Sequence, residues 1–321
     1  MAHQVENMFS VRQVPWHKKG KILNNPPTSK EAIIQAGLDW TVNKKDLYFK
    51  NGEGFDLGEF NKIDKRSALV RSTDNSVLSV VSNRYNPLQN IEAFEWFDTF
   101  VESGLATYET AGSLQNGKKI WILAKLKDDF EVIKGDPARK YIFLANGHDG
   151  ITGIMIQPTS VRVVCNNTWQ RSISTGLVNT IWHNSKSSKN MDEVKNLLGL
   201  AEEQFIEQKE FLLKMSKFPI SDVIVNAYLE KVLPTPDEKK SETAWENNKI
   251  WKNRIVALSE TGLGTDIPGV KGNLYGLYNA AVEFAEYDMG RRVKDIGNFQ
   301  LFGLGAQFKS RAWNSALDLI K

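Results

Sequence analysis

Residues 141–169 read YIFLANGHDGITGIMIQPTSVRVVCNNTW, from Tyr141 to Trp169. Two apolar runs flank a glycine-rich turn, and a third follows a proline break. This is how neighbouring strands look in a sequence. The polar residues gather where the runs end. His148 and Asp149 lie in the turn, and Arg162, Cys165, Asn166, Asn167 and Thr168 lie along or just past the last run.

Outward from this stretch, the preceding chain alternates strand and turn. Ser67–Arg71 and Val77–Val81 flank the turn residues 73–76. Ala106–Leu114 and Lys118–Leu126 are joined by Gln115-Asn116-Gly117, and Asn-Gly between two strand-like runs is a strong hairpin signal. A helix is predicted from Asn90 to Gly104, with Ile91, Phe94, Phe97 and Val101 on one face. Thr28 and Glu31 have capping-box spacing at the head of a shorter helix that ends at Gly37. Residues 1–27 show no period and end in Asn24-Asn25-Pro26-Pro27, so they read as an irregular arm. Beyond Lys186–Asn190 the pattern becomes helical, with helices expected over 191–215, 221–233, 242–258, 274–287 and 309–320. The expected fold is α+β: an antiparallel-sheet domain with hairpins and a packed helix (28–185), then a mostly helical region (189–321).

The chain has 321 residues, 41% hydrophobic and 25% charged, which suits a globular protein with a sizeable core. Its single cysteine, Cys165, excludes an intrachain disulfide and fits a reducing compartment. No run approaches the roughly 18 apolar residues of a membrane span, and the start lacks a signal-peptide core. A cytoplasmic protein without a membrane partner is therefore expected. A net charge of +3 permits a nucleic-acid partner only where positive charge is clustered.

His148 and Asp149 admit two readings. Imidazole and carboxylate are the usual metal ligands and general bases, but Asp-Gly also supplies the backbone geometry of a hairpin turn. Cys165 has no neighbouring base and reads as a small buried residue. If 161–166 is a strand, Arg162, Val164 and Asn166 share a face. Arg162 and Asn166 could then meet phosphates or bases at a sheet edge, or serve as a buried pair and a turn. The basic residues Arg84, Lys118, Lys119, Arg139 and Lys140 stand beside the aromatics Tyr85, Trp121 and Tyr141. Phosphate neutralisation with base stacking is the chemistry of single-strand binding. Lys118 and Lys119 follow the hairpin turn and are expected to be exposed. Phe302-Gly303-Leu304-Gly305 lacks the Gly-Lys-Ser/Thr of a phosphate loop.

Several motifs in order resemble the bacterial phage/plasmid-like protein family, domain of unknown function 932. They are Leu78–Asn90, Ala111–Leu114 with Gly117–Lys119, Asn146–Gly150 and Arg162–Thr168. One departure is Asn146-Gly147 before His148, where Asn-Ser is expected. The resemblance implies a mobile-element context and no mechanism. The order of strands, helix and hairpins is also similar to phage single-strand annealing proteins of the Erf and Red-beta kind, a fold-level analogy. The leading expectation is a non-catalytic, homo-oligomeric single-stranded DNA binding or annealing protein in phage or plasmid recombination or replication, needing no cofactor or metal. Its site would comprise Arg84, Tyr85, Lys118, Lys119, Trp121, Arg139, Lys140, Arg162 and Asn166. The alternatives are an enzyme acting on nucleic acid around His148, Asp149, Arg162 and Cys165, and an interaction protein that counters host defence.

Overall fold

The stretch around residues 141–162 lies in a large, mostly antiparallel sheet. Its strands run in the order β11 (Thr168–Trp169), β10 (Ile154–Arg162), β9 (Pro137–Gly147), β7 (Lys119–Leu126), β6 (Ala106–Leu114), β1 (Val5–Val11) and β2 (Lys21–Leu23). Two short strands, β8 (Phe130–Glu131) and β12 (Asn179–Ile181), pair with β9 and β10. The computed structural model describes residues 5–12, 20–51, 59–162, 168–169, 179–181, 191–291 and 293–321, with backbone alone at 99–100, 162, 168–169, 179–181 and 191–200. The α+β class expected from the sequence is what the chain adopts. One expectation is corrected: residues 1–27 are not wholly an irregular arm. Val5–Val11 forms a strand beside β6, and Lys21–Leu23 adds parallel to it. No period shows in β1 because both of its faces are covered: Val5, Met8, Phe9, Ser10 and Val11 are all buried.

A second sheet of three strands has the order β3 (Val42–Lys50), β4 (Phe60–Arg71) and β5 (Val77–Ser82). Its root is buried at Ala68, Leu69, Val70, Leu78 and Val81. Helices α1 (Ser29–Gln35) and α2 (Asn90–Glu102) lie between this sheet and one face of the large one. The capping box of α1 forms as expected: Glu31 N donates to Thr28 Oγ1, and Thr28 N donates to Glu31 Oε2 at 2.9 Å.

Side-chain period two divides the large sheet. Ile120, Ile122, Ala124, Ile142, Leu144 and Ile156 face the helices, joined by Phe94, Phe97 and Phe205. Leu114, Trp121, Phe143 and Ala145 face the other way, against Leu301 and Phe302. Gly112 makes room for Trp121, since a Cβ there would lie 2.5 Å from the indole and 2.5 Å from Asn7 O.

The helical half docks on the sheet. Helix α3 (Met191–Ser216) buries Ala201 and Phe205 against it. A separate core joins the far end of α3 to α4 (Asp222–Val232), α5 (Glu242–Thr261), α6 (Leu274–Glu283) and α8 (Leu304–Ile320). Val132 and Ala138 of the sheet domain enter that core, and Tyr275 OH donates to the buried Asp136 Oδ2 at 2.7 Å. The expected helix 274–287 changes to a π-helix at Phe284–Met289, and α7 (Ile296–Leu301) appears where no helix was expected. No helix among the described residues is long and apolar enough to cross a membrane.

Candidate nucleic-acid interface

The turn between β9 and β10 is a junction of both sheets and α7. Asp149 shapes it. Its Oδ1 accepts from Ile151 N at 2.9 Å and Thr152 N at 2.7 Å, and its Oδ2 accepts from Thr152 Oγ1 at 2.7 Å. Burial pulls this carboxyl upward, but the donors of Thr152 and Ile151, with Lys119 nearby, outweigh it and hold the group below its ordinary value. Gly150 takes φ +76°, as a tight turn requires.

His148 is wholly buried. Its Nε2 lies 3.0 Å from Asn90 Oδ1, and Trp40 meets its ring edge-on at 5.6 Å. Asn90 Nδ2 donates to Leu38 O and Trp40 O, so one side chain ties the head of α2 to the chain entering β3 and to the turn. The backbone does the rest of the joining. His148 N donates to Lys118 O at 2.7 Å, Tyr85 OH to Gly147 O at 2.8 Å, and Ser79 Oγ to His148 O at 2.8 Å. Burial, with the charge of Asp149, pushes the Tyr85 phenol above its ordinary value. The His148 ring is buried and held by Asn90 and Trp40. Among the described residues, no three His, Cys, Asp or Glu side chains converge as metal ligands. Cys165, Asn166 and Asn167 lie outside the described residues, and Arg162 ends β10 opposite Ala138.

The basic candidates separate. Arg84 and Lys118 are exposed. Both flank the 147–148 backbone, Lys118 through its own carbonyl and Arg84 through its neighbour Tyr85. Lys44 joins them, its Nζ donating to Asn83 O at 2.8 Å and Tyr85 O at 3.0 Å. Lys119, expected to be exposed, points inward instead. Its Nζ donates to Asn298 Oδ1 at 2.9 Å, lies 3.7 Å from Asp149 Oδ2 and sits over the Phe302 ring. Lys118 is the last residue of the turn and Lys119 the first of β7, and their side chains part there: Lys118 is exposed, whereas Lys119 is turned toward α7.

Arg139 and Lys140 are neighbours within β9, and strand alternation sends them to opposite faces. Lys140 is buried on the helix side, with Nζ 2.9 Å from Glu202 and near the Phe205 ring. Arg139 is half-buried on the other side, where it bonds the Tyr141 hydroxyl and faces Glu109. Burial pushes Tyr141 up to about 12, and burial also raises Glu109. Trp121 is a core residue.

Two features acquire their roles only in the fold. Arg71 donates to Glu6 at 2.8 Å and to Asp74, and stacks on Trp40 at 5.5 Å, so one guanidinium links β1, β4 and the turn after it. Only its burial within an apolar strand hinted at this. The other feature is the outer part of the described β3–β4 ribbon, where Tyr48, Phe49 and Phe60 are exposed among lysines. The signal there was a set of aromatics that no buried partner strand claims.

The ensemble is a two-sheet α+β protein in which His148 and Asp149 are hydrogen-bonded within the turn and Lys44, Arg84 and Lys118 are exposed. The profile described as Domain of unknown function (DUF932) matches residues 77–301, and the chain belongs to that family. Among curated proteins and among solved structures, nothing matches the chain.

Proposed function

We propose that this protein binds nucleic acid, single strands in preference to duplex, without chemistry of its own. The observation that carries the reading is the exposed set Lys44, Arg84 and Lys118: Lys118 O and Tyr85 OH bond the backbone of residues 147–148, and Lys44 Nζ bonds the carbonyls on either side of Arg84. Cations held at one edge of a rigid sheet suit phosphates, whose neutralisation releases counterions and makes binding salt-dependent. His148 and Asp149 are engaged in the fold of the turn, which favours binding over catalysis. The wider role, in recombination or replication of a phage or plasmid by an oligomer in the cytoplasm, draws its support from the motif resemblance and the single cysteine.

The test is the anisotropy of a labelled single-stranded oligonucleotide over a salt series, with duplex as comparison. Arg84→Ala with Lys118→Ala should weaken binding and lower the salt slope by about 1.4, near 0.7 per lost single-strand phosphate contact. Lys119→Ala is unsuitable for this purpose, because its ammonium holds Asn298 and faces Asp149. Absence of binding at low salt would dismiss the proposal.

A further inference from the structure

The ribbon formed by β3 and β4 continues beyond the body of the protein. Its buried root ends near Ser67, and outward from there Lys44, Lys45, Asp46, Tyr48, Phe49 and Lys50 on one strand are all exposed. Register places Tyr48 opposite Lys62 and Lys50 opposite Phe60. Residues two apart share a face. One face of the ribbon end therefore carries Tyr48, Lys50, Phe60 and Lys62 in a chequered pattern, each aromatic beside a lysine both along and across the strands. Tyr48 is 54% exposed and Phe60 68%. Contact with water is unfavourable for such rings, and a cluster of them at the surface marks a place that can take a partner.

The described part of the ribbon is net positive. The described ribbon residues 43–51 and 59–66 hold six basic side chains against three acidic ones, Asp46, Glu59 and Asp64. Asp46 is paired with Lys62 at 2.8 Å, an exposed pair that a phosphate can compete for. The ribbon is also continuous with this exposed basic set. Asn83 N donates to Lys65 O, Arg66 pairs with Ser82, and Lys44 reaches the carbonyls on either side of Arg84. A positive track thus runs from Lys50 through Lys44 to Arg84. Six residues of strand span roughly 20 Å, room for about six stacked nucleotides at ~3.4 Å each.

We infer that the β3–β4 ribbon is the base-stacking arm of the nucleic-acid site, taking unpaired bases on Tyr48 and Phe60 while Lys50 and Lys62 meet the flanking phosphates. The inference rests on the binding reading above and names the part of the chain that would distinguish single strands from duplex. Flat aromatic faces interleaved with cations fit unpaired bases, whose faces are open, and fit them without regard to sequence. A second copy of the chain fits less well. Lysines along the outer strand β3 are the usual protection of an exposed edge against pairing with another chain.

The test uses the full-length protein and a labelled oligothymidylate, with a duplex of equal length. Tyr48→Ala with Phe60→Ala should weaken single-strand binding by about 30-fold or more at every salt concentration while leaving the salt slope unchanged. Phe60→Leu, which keeps apolar area but loses the ring, should also weaken it. Lys50→Ala should reduce the slope by about 0.7. The melting temperature should be unaffected, because these side chains are outside the core. If the wild type binds and the double aromatic variant binds equally well, the stacking arm is wrong and the binding reading survives. A duplex preference, or full binding by Phe60→Leu, also overturns the arm. If the wild type binds neither form, both readings fall together.

Discussion

Replacing Asp149 separates a structural carboxylate from a catalytic one. Its side chain is only 14% exposed and accepts three hydrogen bonds, two from backbone and one from Thr152 Oγ1. Hydrogen bonds to a charged group contribute about 1.5–3 kcal/mol each, but Ile151 N is exposed and can turn to water. Asp149→Ala should therefore cost about 2–3 kcal/mol, well below the sum of its bonds. Asp149→Asn keeps the Oδ1 acceptor and should cost about 1 kcal/mol, chiefly the attraction of Lys119 and the strength of the charged acceptor. Urea unfolding at neutral pH measures both. Because the folded carboxyl lies below its ordinary value, its contribution is complete above the unfolded pKa of about 3.9. That contribution is lost as the pH falls through the folded value. The gap between wild type and Asp149→Asn should accordingly narrow below about pH 4. Oligonucleotide affinity of the folded Asn variant should match wild type. A variant of native stability that no longer bound the oligonucleotide would refute the argument and give the turn a direct part in the site. So would equal damage from Asn and Ala, since the cap geometry would then contribute nothing.

Three further outcomes follow from the same packing. Asn90→Ala strips partners from Leu38 O, Trp40 O and the His148 ring, all buried, and should cost about 3 kcal/mol in denaturant unfolding. Lys309 is fully buried with Nζ 2.7 Å from Glu286. Lys309→Met should destabilise by about 3 kcal/mol by stranding that carboxylate, and Lys309→Met with Glu286→Leu should recover most of the loss. Gly112→Ala should cost about 1–3 kcal/mol, read as a lowered melting temperature and altered Trp121 fluorescence, because its methyl would strike the indole, Met8 and the backbone of Asn7.

Local chemistry made much of the fold legible. Thr28 and Glu31 announced their cap, Gln115-Asn116-Gly117 its hairpin, and the period of 90–104 its helix, since each signal acts over a few residues. The turn at Asp149-Gly150 was readable on the same ground, and so was the choice between His148 as a ligand and as part of a turn, though not its outcome. The strand Val5–Val11 was hidden because burial on both faces removes alternation. The binding candidates illustrate the other limit. Lys118 beside Lys119 and Arg139 beside Lys140 look like doubled patches in a sequence. Alternation along β9 sends Arg139 and Lys140 to opposite faces, the end of the turn separates Lys118 from Lys119, and partners far along the chain, Asn298 and Glu202, claim the inward ones. Composition and short-range pattern pointed to an α+β chain with a surplus of cations, and its ordered motifs to the domain of unknown function 932 family. Which cations reach solvent, which aromatics stay uncovered at the end of a ribbon, and that His148 sits behind Trp40 and Asn90 were settled by the meeting of two sheets. Those contacts join residues that lie 58 to 108 positions apart in the chain (Asn90 to His148, Trp40 to His148), a separation no local pattern encodes.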